Sequence, residues 1–549
     1  MDYKKLASLL FSHVTETPEE TEARFPRRNL PEGAKVTRIA PSPTGFVHFG
    51  NLFPALVSER LAHQSGGIFL LRIEDTDEKR KVEGAVELIL SAFRHYELGF
   101  DEGALANEEG FGNYGPYYQS LRAHVYHVFA KQLVEQGLAY PCFCTHEELE
   151  ASHSAQEAAK VTPGYWGEWA TCRDLSLEEI EEKLASGMSY TLRLKSPGKP
   201  GGRIRFTDTI KGDLELDENF TDAVLLKSDG IPTYHFAHAV DDHLMRVTHV
   251  VRGEEWLSTL PLHVQLFDLL GFRRPKYVHI AHLMKRTEDG GKRKLSKRHD
   301  PEAALSFYQE SGYPVEGVRE YVMSVLNSNF EEWRRANPAL DMKEFPFSIK
   351  KMSASGALFD LNKLDDISKN ILALRSAEEM YNDLLAWAKT YDAEFASRLE
   401  QDPAYAKAYL GIGRGGEKPR KDFARLSELP QAMAFFYDDL YKVEDELPEN
   451  EAVRADAREI LSRYSALYSA DDDRDTWFDK IRTMGEEMGY AARPKDYKQN
   501  PDAFRGHVGD ISAVLRLAVT GRKNSPDLYD VMQVLGYERV ANRLNQDLF

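Results

Sequence analysis

The stretch Val36-Thr-Arg38-Ile39-Ala40-Pro41-Ser42-Pro43-Thr44-Gly45-Phe46-Val47-His48-Phe49-Gly50-Asn51 decides how the first half of this chain folds. Val36 to Ala40 reads as a strand. Pro-Ser-Pro-Thr-Gly reads as a tight turn, because proline has no N–H to give to a ladder. A helix follows from Asn51 to His63 and is stopped by Gly66-Gly67; Ile68 to Ile73 then reads as a second buried strand. Strand, turn, helix, strand is a βαβ unit, which implies a parallel sheet with a right-handed crossover. A turn in that context suits a nucleotide: backbone N–H groups and the positive end of a helix dipole face an anion. Gly50 keeps the backbone open to close approach, and His48 can donate to phosphate oxygens as charge builds on them. The competing reading is a proline-rich turn ahead of a core helix.

Outward from this unit, residues 1–34 read as a polar extension with one short amphipathic stretch, ending in a loop. From about 114 to 225 the α/β pattern is interrupted by a helical stretch (Leu175–Ser186) and strand-like segments (Ser189–Leu194, Arg203–Asp208), as expected of an inserted α+β domain. The α/β pattern resumes with Ala223–Leu226, Tyr234–Val240 and Met245–Val251. Beyond residue 300 the periodicity is helical, for example in Arg319–Asn327, Asp366–Leu374, Glu378–Tyr391 and Tyr405–Leu410. A chain of 549 residues exceeds one core and implies roughly three to five domains. Apolar content of 42% excludes wholesale disorder. No apolar run is long enough for a bilayer, and the N-terminus lacks the apolar core of a secretory signal, so the expectation is a cytoplasmic protein with no membrane association. The net charge of −18 weighs against nucleic-acid binding taken alone, but basic segments occur at Lys285–Arg286, Lys292–Arg298 and Lys418–Arg425.

The second informative segment is Lys292-Arg293-Lys294-Leu295-Ser296-Lys297-Arg298. By itself it is a solvated basic loop. Paired with the first motif, its lysines and serine suit the grip on a transferring phosphoryl group. The two segments together carry a resemblance. His48-Phe-Gly50-Asn51 resembles the HIGH signature of class I aminoacyl-tRNA synthetases, with Asn51 in place of the second histidine, and Lys294-Leu-Ser-Lys297-Arg298 resembles their KMSKS signature. Arg72-Ile-Glu74-Asp75-Thr76-Asp77, Pro232–His243 and Val251-Arg252-Gly-Glu254-Glu255-Trp256 are similar to glutamyl-tRNA synthetases, a likeness that runs from about residue 36 to the closing helices at Leu515–Leu544.

That resemblance implies an α/β Rossmann-like catalytic domain (35–113 and 226–282) after the 1–34 extension. It implies an inserted α+β acceptor-stem-binding domain (114–225), a signature-loop and stem-contact helical domain (283–375) and a helical anticodon-binding domain (376–549). It implies ATP-dependent ligation of L-glutamate to the 3′ end of tRNA(Glu) by way of a glutamyl adenylate, with Mg2+ on the ATP. In the family's pattern Arg38 and Arg252 take the glutamate carboxylates, and Ser42, Glu74, Tyr234 and His238 complete the pocket, with histidine at 238 where the family commonly has asparagine. Thr44, His48, Gly50, Asn51, Glu255, Lys294, Ser296 and Lys297 hold ATP; among them His48, Gly50, Lys294 and Lys297 are the catalytic set. A monomer is expected. Two alternatives stand beside this reading: a non-discriminating enzyme that also charges tRNA(Gln), and a non-catalytic tRNA-binding paralogue.

Cys142-Phe-Cys144 and Cys172 lie inside the inserted segment. They are either three ligands of a tetrahedral zinc site, with Asp174, Glu168 or Tyr165 as candidates for the fourth, or three reduced thiols. Gly411-Ile-Gly413-Arg-Gly415-Gly416 fits a dinucleotide-binding pattern but follows a helix, not a strand, and reads as a basic loop, Arg414 to Arg425, near an RNA stem. Lys297→Ala is expected to lower the rate of adenylate formation far more than it weakens glutamate binding. Equal losses in single-turnover rate and in glutamate affinity would contradict a transition-state role.

Overall fold

The structure, a computed structural model, describes residues 1–45, 47–296 and 298–547, without the Glu78 side chain. Lys297, expected in the phosphate grip, lies outside the described residues. The chain divides into two compact units, one formed by Met1–Phe307 with Arg319–Asp360, the other by Tyr308–Val318 with Leu361–Phe549.

The first unit opens with two short helices, α1 (Tyr3–Leu10) and α2 (Pro18–Ala23). Thr17 caps α2 in a reciprocal bond with Glu20. The extension, expected to be polar with one short amphipathic stretch, is anchored more firmly than that: Leu6, Leu10, Phe11, Val14 and Phe25 are buried. Each such side chain contributes about 2 kcal/mol, more than exposed pairs such as Glu16–His124 can.

The sheet follows. β1 (Val36–Ile39), α3 (Phe49–His63) and β2 (Ile68–Leu71) form the expected βαβ unit, with Val36 paired to Ile68 and Ile39 to Leu71 in parallel register. Gly67 is required at the turn into β2, since a Cβ there would sit 1.9 Å from the Lys35 carbonyl oxygen. Helix α4 (Ala85–His95) leads to β3 (Glu102–Ala104) and the antiparallel edge β4 (Gly110–Phe111). Within the insertion, α5 (Ala123–Glu135), β5 (Ala139–Cys142), α6 (His146–Ala158), α7 (Leu177–Ala185) and β6 (Thr191–Leu194) precede a hairpin of β7 (Arg203–Asp208) and β8 (Gly212–Asp217). β9 (Val224–Leu226) closes a three-stranded sheet in the order β5-β6-β9.

Helix α8 (Tyr234–Leu244), β10 (His249–Gly253), α9 (Leu260–Leu269) and β11 (Lys276–Ile280) complete the main sheet, whose order is β11-β10-β1-β2-β3-β4. The chain goes from β1 to β2 on one side and returns to β10 on the other, so the order reverses at β1. A crevice at the carboxyl ends of the strands is the usual consequence of such a switch point. All four residues of β1 are buried, as befits a strand covered on both faces.

The basic signature segment is not a plain loop: β12 (Leu283–Arg286) and β13 (Lys292–Lys294) form an antiparallel hairpin, and β14 (Ala357–Leu358) adds a parallel strand to β12.

The second unit is helical, and among its described residues no strand occurs. Helices 361–374, 377–391, 451–467, 474–487 and 508–520 enclose a core that includes Leu384, Tyr464, Ile481 and Leu515. The Gly411–Gly416 loop ends helix Pro403–Leu410, with Gly413 and Gly415 at positive φ, and Arg414 donates to the carbonyls of Leu410 and Leu372. Arg414 thus serves the unit's own helix ends, and no dinucleotide fold surrounds the loop.

Candidate active site

Three strand ends build the site. Arg38 is on β1, Arg252 on β10, and Glu74 follows β2, its N–H donating to the Pro41 carbonyl at 3.0 Å. Because the strands are parallel and adjacent, these side chains emerge at one edge. Helix α8 supplies the opposite wall: Tyr234, His238 and Asp242 recur every fourth residue and form one stripe.

Asp242 is the electrostatic anchor. It accepts from Arg38 Nε (3.2 Å), Arg72 Nη1 (2.6 Å) and His238 Nδ1 (2.9 Å). Burial alone would raise its pKa, but Arg38, Arg72 and His238 hold it well below the carboxylate range. Its neighbour Asp241 accepts from Arg122 Nε (2.7 Å), Gln119 Nε2 (2.9 Å) and Tyr126 OH (2.8 Å). Arg72 also donates to Glu74 at 3.1 Å. Burial raises the Glu74 pKa in spite of Arg72 and Arg38.

Arg252 is held differently. Its Nε donates to His279 Nε2 at 3.0 Å, its Nη1 meets His263 Nδ1 at 3.0 Å, and its Nη2 reaches the Trp256 carbonyl at 3.3 Å. His279 is its register partner across β10 and β11. Burial lowers the pKa of both imidazoles, that of His263 well below its ordinary value. Among the described residues no carboxylate lies in ion-pair reach of Arg252. Its charge is therefore uncancelled by protein and open to an acidic ligand.

A cleft of about 880 Å³ joins these groups to both signature segments. Its lining includes Arg38, Ser42, Glu74, Tyr234 and Arg252 together with His48, Gly50, Asn51, Glu255, Lys294 and Ser296. The first segment meets the chain just beyond the second: His48 forms an antiparallel bridge with Ala304, and the Leu305 N–H reaches the Val47 carbonyl. Phe49 is fully buried among Phe53, Tyr321 and Phe359, which seats the helix start. Asn51 caps that start, its Oδ1 accepting from the His48 N–H at 3.3 Å. A Cβ on Gly50 would meet nothing within 4 Å, consistent with backbone left open on the cleft side. In the signature loop Asp300 accepts from Arg293 (2.6 Å), Lys285 (3.2 Å) and the Ser296 N–H (2.8 Å). Its pKa is lowered chiefly by Arg293, against its burial. Lys294, by contrast, has no carboxylate in ion-pair reach among the described residues.

Two expected residues fall elsewhere. Thr44 is exposed and off the cleft wall, its N–H turned to the Ser42 carbonyl at 2.8 Å. His238 is wholly buried behind Tyr234, between Asp242 and the Tyr277 hydroxyl (3.0 Å), because one helical turn carries it below the surface. Residues that sequence reasoning missed are Arg72, Asp241, Asp242, His263, His279 and Asp208. The visible signal was two consecutive acids inside an otherwise apolar helix.

In the insertion, the sulfurs of Cys142, Cys144 and Cys172 all lie within 4.8 Å of one another. Cys144 Sγ is 3.6 Å from Cys172 Sγ and 3.2 Å from the Tyr165 hydroxyl.

Comparison with known proteins matches residues 35–366 to the family "tRNA synthetases class I (E and Q), catalytic domain" and residues 501–548 to an anticodon binding domain. The chain is 54% identical to the glutamate–tRNA ligase of Acetivibrio thermocellus over 547 residues, covering 100% of both chains. It is 48% identical to the glutamate–tRNA ligase of Clostridium beijerinckii, again with 100% of both covered. Among solved structures, a glutamate tRNA ligase from Elizabethkingia meningosepticum in complex with its amino acid superposes with a TM-score of 0.73 at 28% identity, covering 93% of this chain and 98% of that one. A glutamate–tRNA synthetase from Elizabethkingia anophelis gives 0.75 at 28%, covering 93% and 99%.

The neutral histidines make stability depend on pH. Burial pushes His238 down to about 4, and it does the same to His249. An unfolded histidine titrates near 6.5, so between about 6.5 and 4 the unfolded chain binds more protons and stability falls as pH falls. His238 by itself should cost on the order of 3 kcal/mol across that window. Glu74, whose pKa is raised, acts in the opposite sense and offsets part of this. Thermal melts from pH 7 to 4.5 should show His238→Asn losing less stability on acidification than the parent. Parallel pH profiles for the two would contradict a buried neutral His238.

Proposed function

We infer the chemistry of this chain from one premise: it belongs to the glutamate–tRNA ligases of the class I tRNA synthetase family. It joins L-glutamate to the 3′ end of tRNA with cleavage of ATP. A glutamate carboxylate oxygen attacks the α-phosphorus of MgATP, and the bond to the bridging oxygen breaks, so that pyrophosphate leaves with the electron pair. The terminal ribose hydroxyl then attacks the carbonyl carbon of the adenylate, loses its proton and displaces AMP. No side-chain nucleophile is needed; alignment and electrostatic stabilisation carry both steps.

The observation that best supports the residue assignments is Arg252, a buried arginine held by two neutral imidazoles and a backbone carbonyl, with no carboxylate in ion-pair reach among the described residues, in the cleft that both signature segments line. In this reading Arg252 and Arg38 bind the two carboxylates of glutamate. Glu74, already beside Arg72, faces the α-ammonium, and Ser42 and Tyr234 complete the pocket. His48, Gly50 and Asn51 receive ATP with Glu255 and Ser296, while Lys294 and Lys297 take the charge of the departing pyrophosphate. The segment 114–225 meets the acceptor end and 376–549 the anticodon. The protein works in the cytoplasm as a monomer with tRNA(Glu).

Pyrophosphate exchange into ATP is expected to need glutamate and tRNA(Glu) together and to fail with glutamine; exchange supported equally by tRNA(Gln) would identify the non-discriminating alternative. Arg252→Ala should raise the KM for glutamate on the order of 100-fold and leave that for ATP nearly unchanged. An unchanged glutamate KM would remove Arg252 from the pocket.

The cysteine cluster fits zinc. Tetrahedral Zn–S bonds of 2.3 Å put sulfurs roughly 3.8 Å apart, close to the 3.6 Å between Cys144 and Cys172. Tyr165, beside Cys144, is the best placed of the candidates for the fourth ligand, and the metal would brace the insertion. The purified chain should carry about one zinc by elemental analysis and lose most of it in Cys144→Ser. Full-length protein with three freely titrating thiols and no zinc would refute the site.

A further inference from the structure

We propose that Asp208 and His279 are positioning residues for Arg252, and that through them the β7–β8 hairpin of the insertion forms part of the amino-acid site. This rests on the reading of Arg252 as a carboxylate-binding group.

The hydrogen bonds fix the direction of the relay. A guanidinium Nε–H can only donate, so His279 Nε2, 3.0 Å away, must accept. The imidazole proton is then on Nδ1, which lies 2.7 Å from Asp208 Oδ2. The same carboxylate oxygen accepts the His279 N–H at 3.2 Å, and Oδ1 accepts the N–H groups of Ile210 and Lys211 at 2.9 Å each. Asp208 therefore shapes the hairpin turn with one oxygen and orients His279 with the other. His279, Asp208 and Arg252 are at most 5% exposed, so water does not loosen the chain of contacts. Burial raises the Asp208 pKa, but the bonds from His279, Lys211 and Ile210 outweigh it and keep the carboxyl ionised.

The neutral ring between the two charges matters. A carboxylate in direct contact with Arg252 would cancel the charge that a substrate needs. An interposed imidazole aligns the guanidinium by its lone pair and leaves that charge in place.

The hairpin touches the catalytic sheet at this end. Phe206 packs edge-on against Tyr277, with ring centroids 5.6 Å apart, and Lys211 pairs with Glu254, two residues beyond Arg252. Apart from the Asp208 end, β7 and β8 are exposed or half-exposed. The hairpin is thus a projecting arm whose buried tip holds the arginine.

The test uses the full-length enzyme in aminoacylation assays that report kcat and the KM of each substrate. His279→Phe and Asp208→Asn should each raise the KM for glutamate about 10-fold or more, with the KM for ATP within about twofold and little change in melting temperature. His279→Gln, whose amide oxygen can accept from Arg252, should restore most of the loss. Added to Arg252→Ala, His279→Phe should raise the glutamate KM no further, because its effect passes through the missing guanidinium. Full additivity, or equal losses in kcat and both KM values, would overturn the proposal. If the phenylalanine variant does not fold, Asp208→Asn with Arg252→Ala supplies the same cycle. A strong Arg252→Ala effect with silent relay variants overturns this inference alone. A silent Arg252→Ala overturns the pocket assignment and this inference with it.

Discussion

The buried guanidinium groups of Arg38, Arg72 and Arg122 need carboxylates, and this protein supplies two in succession from one helix. Asp241 and Asp242 leave α8 in different directions. Asp242 turns to Arg38 and Arg72, and Asp241 to Arg122, Tyr126 and Gln119. Each unpaired ion in such an interior would cost several kcal/mol. Arg72, within 3.8 Å of Asp241 and 2.6 Å of Asp242, ties the two halves together. Because these bonds satisfy the protein's own charges, the arginine on β1 is oriented before any ligand arrives, which is how binding sites avoid ordering costs at the moment of reaction.

The segment before β1 belongs to this arrangement. Glu22 holds His243 at 3.0 Å, Arg246 donates to the Phe25 carbonyl at 3.0 Å, and the Phe25 ring lies 5.3 Å from the Arg122 guanidinium. The first residues of the chain therefore clamp the carboxyl end of the helix that carries the acids. Tyr234, at the other end of that helix, faces the cleft, so the extension supports the cleft wall from behind.

Much of this was legible in the sequence, for reasons that also explain what was not. The βαβ unit could be read because its pattern is local, and Arg38, Glu74, Tyr234 and Arg252, which the resemblance implies for the pocket, all line the cleft because the segments that carry them end at adjacent strands or begin the facing helix. Asp208, His263 and His279 could not, since they come from a hairpin, a helix and an edge strand that only the fold brings together. His238, which the resemblance implies for the pocket, is four residues from Tyr234 on the same helical stripe but one turn deeper, and is buried behind it. Thr44, which the resemblance implies for ATP binding, is exposed on the turn and off the cleft wall. The extension looked polar because α1 spans only eight residues, with Leu6, Ala7 and Leu10 facing inward, and its partner α5 lies more than a hundred residues later.

The two arginines of the pocket embody different solutions to one problem. Arg38 shares a carboxylate with Arg72 and is rigid but partly compensated. Arg252 is rigid because imidazoles accept from it, and its charge stays whole because burial keeps those imidazoles neutral. The signature loop repeats the division: Asp300 consumes Arg293 and Lys285 in ordering the hairpin, which leaves Lys294 on the cleft wall with no carboxylate in ion-pair reach among the described residues. In both places some cations are paired to build the scaffold while another on the cleft wall keeps its charge. A site that must hold a dicarboxylate beside a triphosphate needs that surplus, because a fully compensated pocket would exclude both anions.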